Sequence, residues 1–332
     1  MDMERLEAFV SQKVERCKIL VAGDVMLDKY YYGKVTRISP EAPVPINHVS
    51  REKETLGGAA NVAHNLALLG CKTMLAGFVG DDFHYRSLAE KLSDRGILSD
   101  SLVMTDRPTT TKIRVIGGHQ QMIRLDFEDA RPLEERWTDQ FLEKVKKRLD
   151  EGMDAMILSD YAKGTLSDRS ARALIAEAHA HGVPVIVDPK GTNWTKYKKC
   201  DYITPNLKEI NEILIDPISN TDAEIVKACH YISRKYDIKN VLATRSEKGV
   251  SLVREGQEVH IPTRSQEVFD VSGAGDTVIA VLAAGLSGGL RGEEAAYLAN
   301  LAASVVVAKL GTYAVAREEL SDALHKVGGI QQ

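Results

Sequence analysis

Val268 to Thr277 reads Val-Phe-Asp-Val-Ser-Gly-Ala-Gly-Asp-Thr and runs into the apolar stretch Val278 to Leu286. The strong helix formers of that stretch put Gly273, Ala274 and Gly275 at the mouth of a helix. Glycines there let the backbone turn sharply and approach a ligand closely. The free N–H groups and the helix dipole favour an anion such as phosphate. Asp276 is then the discordant residue, since it adds negative charge where phosphate would sit. It makes sense as a base that takes a proton from a hydroxyl attacking that phosphate. An acidic residue in the first turn of an ordinary helix is the competing reading. A dinucleotide fingerprint fails, because its third glycine position is Val278, and no Gly-x-x-x-x-Gly-Lys-Ser/Thr loop occurs.

Four more polar clusters follow short apolar runs: Ser159 to Gly164, Asp188 to Gly191, Thr204 to Glu209, and Thr244 to Gly249. If the runs are parallel strands, all four clusters gather at one sheet edge, where open α/β sheets bind ligands. Asn206 and Glu209 also have the spacing of a helix cap. Lys163, Lys190, Arg114 and Arg124 read as surface charge by default. A sugar already carrying a phosphate would need such cations, and Arg suits bidentate phosphate contact.

The elements that must position these residues alternate. Residues 3–15 have helical spacing, and Ile19 to Asp24 reads as a buried parallel strand ending in turn residues. Asp24 and Asp28 then meet substrate, or Asp24 is a loop or cap residue. Helix and strand signals alternate from Ala59 to Thr244, which predicts an α/β fold: a mostly parallel central sheet with helices on both faces. Residues 30–50 and 109–127 break the pattern. The first holds Pro40, Pro43 and Pro45; the second places Gly117-Gly118 between alternating runs, a hairpin signal. Together they predict a small β-sheet lid inserted in a single domain spanning 1–332, with an exposed face suited to a dimer contact.

The chain has 332 residues and a net charge of −4, which argues against nucleic acid as the main partner. No apolar run approaches the ~18 residues of a membrane span, and the acidic start lacks a signal-peptide pattern. Cys17, Cys71, Cys200 and Cys229 form no Cys-x-x-Cys. They read as free thiols, and the expected compartment is the cytosol.

Asp270-Val-Ser-Gly-Ala-Gly-Asp276 resembles the C-terminal signature of the ribokinase-like sugar kinases, the phosphofructokinase B family. Leu56-Gly57-Gly58-Ala59-Ala60-Asn61-Val62-Ala63, with Leu68-Leu69-Gly70, resembles their N-terminal signature. The two stand in the family's order, more than 200 residues apart, and the resemblance runs from about Lys18 to about Leu320. It implies that Asp276 is the catalytic base and that the N–H groups of Gly273, Ala274 and Gly275 stabilise the transferring phosphoryl. It also implies that Asp28, Gly58 and Asn61 hold the sugar. Asn206 and Glu209 resemble the Asn-x-x-Glu element that positions hydrated Mg2+ and the nucleotide phosphates. The loop carrying Thr244, Arg245, Ser246 and Gly249 resembles the nucleotide loop. Asn300 matches the adenine pocket, or is a buried side chain bonding backbone.

Gly23 to Tyr30, Arg37 to Pro45, Arg124 to Glu128 and Ser159 to Gly164 further resemble bacterial heptose-7-phosphate kinases. That narrower resemblance implies ATP-dependent phosphorylation of D-glycero-D-manno-heptose 7-phosphate at the anomeric hydroxyl, feeding ADP-heptose and the lipopolysaccharide core. Arg114, Arg124, Lys163 and Lys190 would hold the 7-phosphate. No His-x-Gly-His element of the often-fused nucleotidyltransferase is present, so the chain resembles the stand-alone form. A kinase for another sugar, a non-catalytic sensor of sugars or nucleotides, and a nicotinamide dehydrogenase are the alternatives.

Overall fold

Alternation within single strands organises the molecule. In β1 (Lys18–Gly23), Ile19 and Val21 face one hydrophobic core while Leu20 and Ala22 face another. Successive strand side chains point to opposite faces, so a strand apolar at every position requires cover on both sides. The computed structural model describes residues 1–129, 131–263, 268–309, 311 and 313–329.

The remaining strands are β2 (Val25–Ile38), β3 (Pro45–Gly58), β4 (Lys72–Gly80), β5 (Leu98–Thr105), β6 (Thr111–Gly117), β7 (Gln120–Phe127), β8 (Ala155–Ser159), β9 (Val185–Asp188), β10 (Tyr202–Ile203), β11 (Asn240–Thr244), β12 (Val250–Arg254) and β13 (Gln257–Ile261). Among the described residues, β1 and eight of these form the main sheet in the order β13-β12-β11-β10-β9-β8-β1-β4-β5. Pairing is parallel from β11 through β5, and an antiparallel hairpin closes the other edge.

Helices α1 (Met3–Ala8), α2 (Ala59–Leu68) and α3 (Phe83–Asp94) cover one face of this sheet, with α8 (Ala274–Ser287), α9 (Gly292–Val306) and α10 (Arg317–Gly329). Helices α4 (Glu135–Asp150), α5 (Asp168–Ala180), α6 (Leu207–Ile213) and α7 (Asp222–Tyr236) cover the other. This is the expected α/β architecture. The leader helix is shorter than its spacing predicts, because α1 passes into a π-helical turn at Phe9–Lys13 and a 3-10 turn at Val14–Arg16.

The lid is a second sheet of four strands, β3-β2-β6-β7. Its ladder extends beyond the expected 30–50, since β2 and β3 pair from Val25↔Gly58 outward to Ile38↔Pro45. The root of the ladder is buried, so Val25, Met26, Leu27 and Leu56 carry no alternating signal. A single residue, Asp24, separates β1 of the main sheet from β2 of the lid. Two main-sheet strands were not expected. Edge strand β5 mixes Ser99, Asp100 and Ser101 with its apolar residues, and β12, buried from Val250 to Val253, shows no alternation right behind the Thr244–Gly249 loop.

All four cysteines are free and buried. Among the described residues no helix is long and apolar enough to cross a membrane. Gly23 marks a close strand contact: a Cβ there would lie 2.1 Å from the Ser159 carbonyl oxygen on β8. Gly23→Ala is therefore expected to lower stability by about 2 kcal/mol or more, read as a lower urea midpoint. An unchanged midpoint would show that β1 and β8 can separate at no cost.

Candidate active site

The carboxyl ends of β1 and β8 to β11 converge with the start of α8. Asp24 ties them together. Its Oδ2 accepts the amides of Tyr161 at 2.8 Å and Lys163 at 3.0 Å, and its Oδ1 accepts that of Thr165 at 3.0 Å. Its own amide donates to Ser159, and its carbonyl accepts the first amide of α2, from Ala59. Gly58, at φ +55°, passes so close that a Cβ would stand 2.4 Å from the Asp24 carbonyl oxygen. Asp24 is thus a loop-holding residue, while Asp28 lies four residues further along, within β2.

Asp276 sits in the first turn of α8 and is 5% exposed. Its Oδ2 accepts the Asn61 amide at 2.6 Å and its Oδ1 the Tyr161 hydroxyl at 2.6 Å. Burial raises its pKa from the ordinary carboxylate value to about 6; the bonds from Asn61 and Tyr161 pull it back, and the charge on Asp28 pushes it up. A carboxyl poised near neutrality beside a glycine-rich helix start can accept a proton from a neighbouring hydroxyl.

A cavity of about 170 Å³ adjoins it, lined by Asp188, Lys190, Asn206, Glu209, Gly275 and Asp276 among others. Tyr161 and Asp188 were within clusters seen in the sequence but were not singled out. A tyrosine and an acid directly after buried strands β8 and β9 are the signal. The Asp188 pKa lies well above the usual range because it is walled in by protein and faces Glu209 and Asp276. Asn206 and Glu209 form the predicted capping box of α6, with reciprocal bonds of 2.9 and 3.0 Å. Glu209 also accepts Lys190 Nζ at 3.0 Å.

Four carboxyls, of Asp160, Asp188, Glu209 and Asp276, against one lysine leave this cavity short of positive charge. The donors are oxygens, the set that magnesium prefers while it keeps several waters. Among the described residues no group of three or more His, Cys, Asp or Glu forms a direct metal cage. The residues present therefore fit a hydrated magnesium ion.

Next to it opens a cleft of about 1000 Å³, bordered by Thr244, Ser246, Gly249, Gly275, Val278 and Asn300. No atom lies within 4 Å of where a Gly275 Cβ would stand, so the helix start is open to the cleft. Asn300 Nδ2 donates to the Pro262 carbonyl at 2.9 Å, as the reading of a buried side chain bonding backbone expects.

Three expectations need correction. Arg245 does not face the cleft: its side chain is 2% exposed and bonds Asn220, Asp222 and Ser251, which supply the acceptors a buried guanidinium needs. The Ala274 amide is not free, since it closes a turn onto the Val271 carbonyl at 3.2 Å. Lys190 lies with Glu209 rather than with the lid cations.

Those lid cations share one face. Arg114 and Arg124 are cross-strand partners, as are Lys112 and Asp126. Arg114 pairs with Asp28 at 2.6 Å, Arg124 with Asp126 at 2.8 Å, and Lys112 with Asp126 and Glu128; Lys163 reaches Glu128 from the β8 loop at 2.7 Å. Four cations thus meet three carboxylates, an excess of one positive charge.

The raised pKa of Asp276 has a sign that can be measured. The stability it contributes is present below the unfolded value near 4 and is lost as pH rises through about 6. Asp276→Asn is expected to unfold at a higher temperature than the parent at about pH 8, by at most about 3 kcal/mol of stability. The gap should close as the pH falls toward about 4. A parent that is the more stable form at alkaline pH would mean that the site welcomes the charge.

A family model described as pfkB family carbohydrate kinase matches residues 17–319. The bifunctional protein HldE of Actinobacillus succinogenes is 44% identical over 316 residues, covering 95% of this chain and 65% of that protein. HldE of Escherichia fergusonii is 46% identical over 317 residues, covering 93% and 64%. The chain thus spans just under two thirds of the length of these relatives. Phosphofructokinase-2 from Escherichia coli, solved with potassium, superposes with a TM-score of 0.77 at 18% identity, covering 94% of this chain and 99% of that one. Ribokinase from Arabidopsis thaliana, solved with ribose and ATP, superposes with a TM-score of 0.73 at 23% identity, covering 93% and 98%. The chain belongs to the pfkB family of carbohydrate kinases.

Proposed function

We propose that this chain transfers the γ-phosphoryl group of ATP to the anomeric C1 hydroxyl of D-glycero-D-manno-heptose 7-phosphate, giving the 1,7-bisphosphate. The observation that carries the reading is the buried Asp276 carboxylate, held at both oxygens, at the junction of an open cleft and a cationic lid face. Asp276 takes the proton of the attacking hydroxyl. The amides of Gly273 and Gly275 steady the charge on the transferring phosphoryl. Asn206 and Glu209 hold magnesium through water, and that ion supplies neutralising charge to the nucleotide phosphates. Thr244, Ser246, Gly249 and Asn300 border the nucleotide.

Asp28, Gly58 and Asn61 meet the sugar. Arg114, Arg124 and Lys163 receive the 7-phosphate, which exchanges with the carboxylates now paired to them and matches the surplus positive charge of that face. The motifs shared with heptose-7-phosphate kinases and the 44% identity to a bifunctional HldE support this acceptor over an unphosphorylated sugar. Lid closure excludes water from the phosphoryl in transit.

The opposite face of the lid is apolar and open. Ile123, Leu125 and Phe127 on β7 are 52%, 42% and 43% exposed. A second copy of the chain packing there would form a homodimer through the lid.

ADP release with ATP, magnesium and heptose 7-phosphate, run beside ribose, fructose 6-phosphate and fructose 1-phosphate, tests the function. Strong preference for the heptose phosphate is expected, with turnover of Asp276→Asn reduced by roughly 10²–10⁴. Preference for another sugar discards the heptose, and no turnover on any acceptor favours a sensing protein. For the dimer, light scattering should give twice the chain mass, and Ile123→Glu with Leu125→Glu should halve it. A parent that elutes as a monomer removes the lid contact.

A further inference from the structure

We propose that Tyr161 is the positioning residue for Asp276: a loop pinned to Asp24 delivers its hydroxyl to Oδ1, which keeps the carboxylate ionised and aimed inside a dry site. The proposal rests on the reading of Asp276 as the base and goes beyond it, by assigning how the charge is maintained.

The geometry forms a relay of fixed bonds. Asp24 is 2% exposed and takes the amides of Tyr161, Lys163 and Thr165. Between those amides the chain must double back, and it does so with Ala162 at φ +57° and Gly164 at φ +101°. The loop so shaped leaves the Tyr161 hydroxyl 2.6 Å from Asp276 Oδ1. Burial, reinforced by the Asp276 charge, holds the Tyr161 pKa well above its ordinary value, so the phenol stays a donor. Asn61, the donor on Oδ2, is also placed to meet the sugar, which leaves Tyr161 as the donor that serves Asp276 alone.

The other charges around Asp276 do not supply this support. The lid presents Asp28, with its partner Arg114. The β8 loop adds Asp160, which Lys196 and Tyr197 hold. The end of β9 adds Asp188 and Lys190, and α6 adds Glu209, already paired with Lys190. Asp28 opposes ionisation of Asp276, and the cations Arg114, Lys190 and Lys196 are each paired with another carboxylate. A hydrogen bond to the charged form is therefore what offsets burial.

Tyr161→Phe keeps the ring and removes the donor. The carboxyl of Asp276 can be followed by carbon NMR, its signal identified by its loss in Asp276→Asn. Its titration midpoint is expected to rise by roughly one pH unit, the size of a lost bond to a charged acceptor. The acid limb of kcat/KM should move up by the same amount. Activity near pH 6.5 should fall roughly threefold, more at lower pH, and recover toward the parent's at alkaline pH. A midpoint and limb that stay with the parent, or a loss equal at every pH, overturn the proposal. Full turnover in Asp276→Asn overturns the base assignment instead, and the NMR midpoint still reports the tyrosine's effect independently of turnover.

Discussion

One buried residue, Asp24, joins three parts of the molecule at the edge of the site. It closes the end of β1, starts α2 through its carbonyl, and gathers three amides of the β8 loop. Buried polar groups must be satisfied, and this residue satisfies its own groups only by bringing those parts together. Burial and the neighbouring Asp160 raise its pKa, while the amide bonds lower it, so the charge and the loop conformation stabilise each other. The root of the lid, the glycine pair Gly57-Gly58 and the tyrosine loop are all placed relative to this point.

The site itself is assembled against electrostatic preference. Asp28, Asp188, Glu209 and Asp276 occupy neighbouring walls, and burial, added to by this crowding, raises the pKa values of Asp188 and Asp276. Such crowding is common where function, not stability, selects the residues. The cations nearby are already partnered in this state: Arg114 by Asp28, Lys190 by Glu209, Lys163 by Glu128. An anionic ligand on the lid face therefore exchanges partners with existing ion pairs, and its binding energy is the difference between two ionic arrangements.

Much of this was legible in the sequence, for definable reasons. Apolar runs ending in polar clusters fixed the parallel sheet, and a glycine pair followed by an acid marked the start of α8. The twin glycines at 117 and 118 marked the β6–β7 hairpin. What escaped notice depends on the third dimension. Nothing local distinguishes Arg245, which turns into the protein, from Thr244 and Ser246, which border the cleft. Tyr161 looks like any loop aromatic until α8 is laid against β8. The root of the lid was missed because strands buried on both faces lose the alternation that identifies them.

The lid joins the core with no slack. A single residue stands between β1 and β2, and its amide, carbonyl and carboxylate are all engaged. Side chains in a strand alternate, so one residue more or less at this junction would turn Asp28 away from the site and its neighbours toward it. At the tip, Ser39 to Val44 connects the same two strands through an exposed turn that can change in length without altering that phase. Insertions and deletions should thus accumulate at the far end of the lid and be purged at its base, and grafting this lid onto a related core would succeed only with the cut made at the tip.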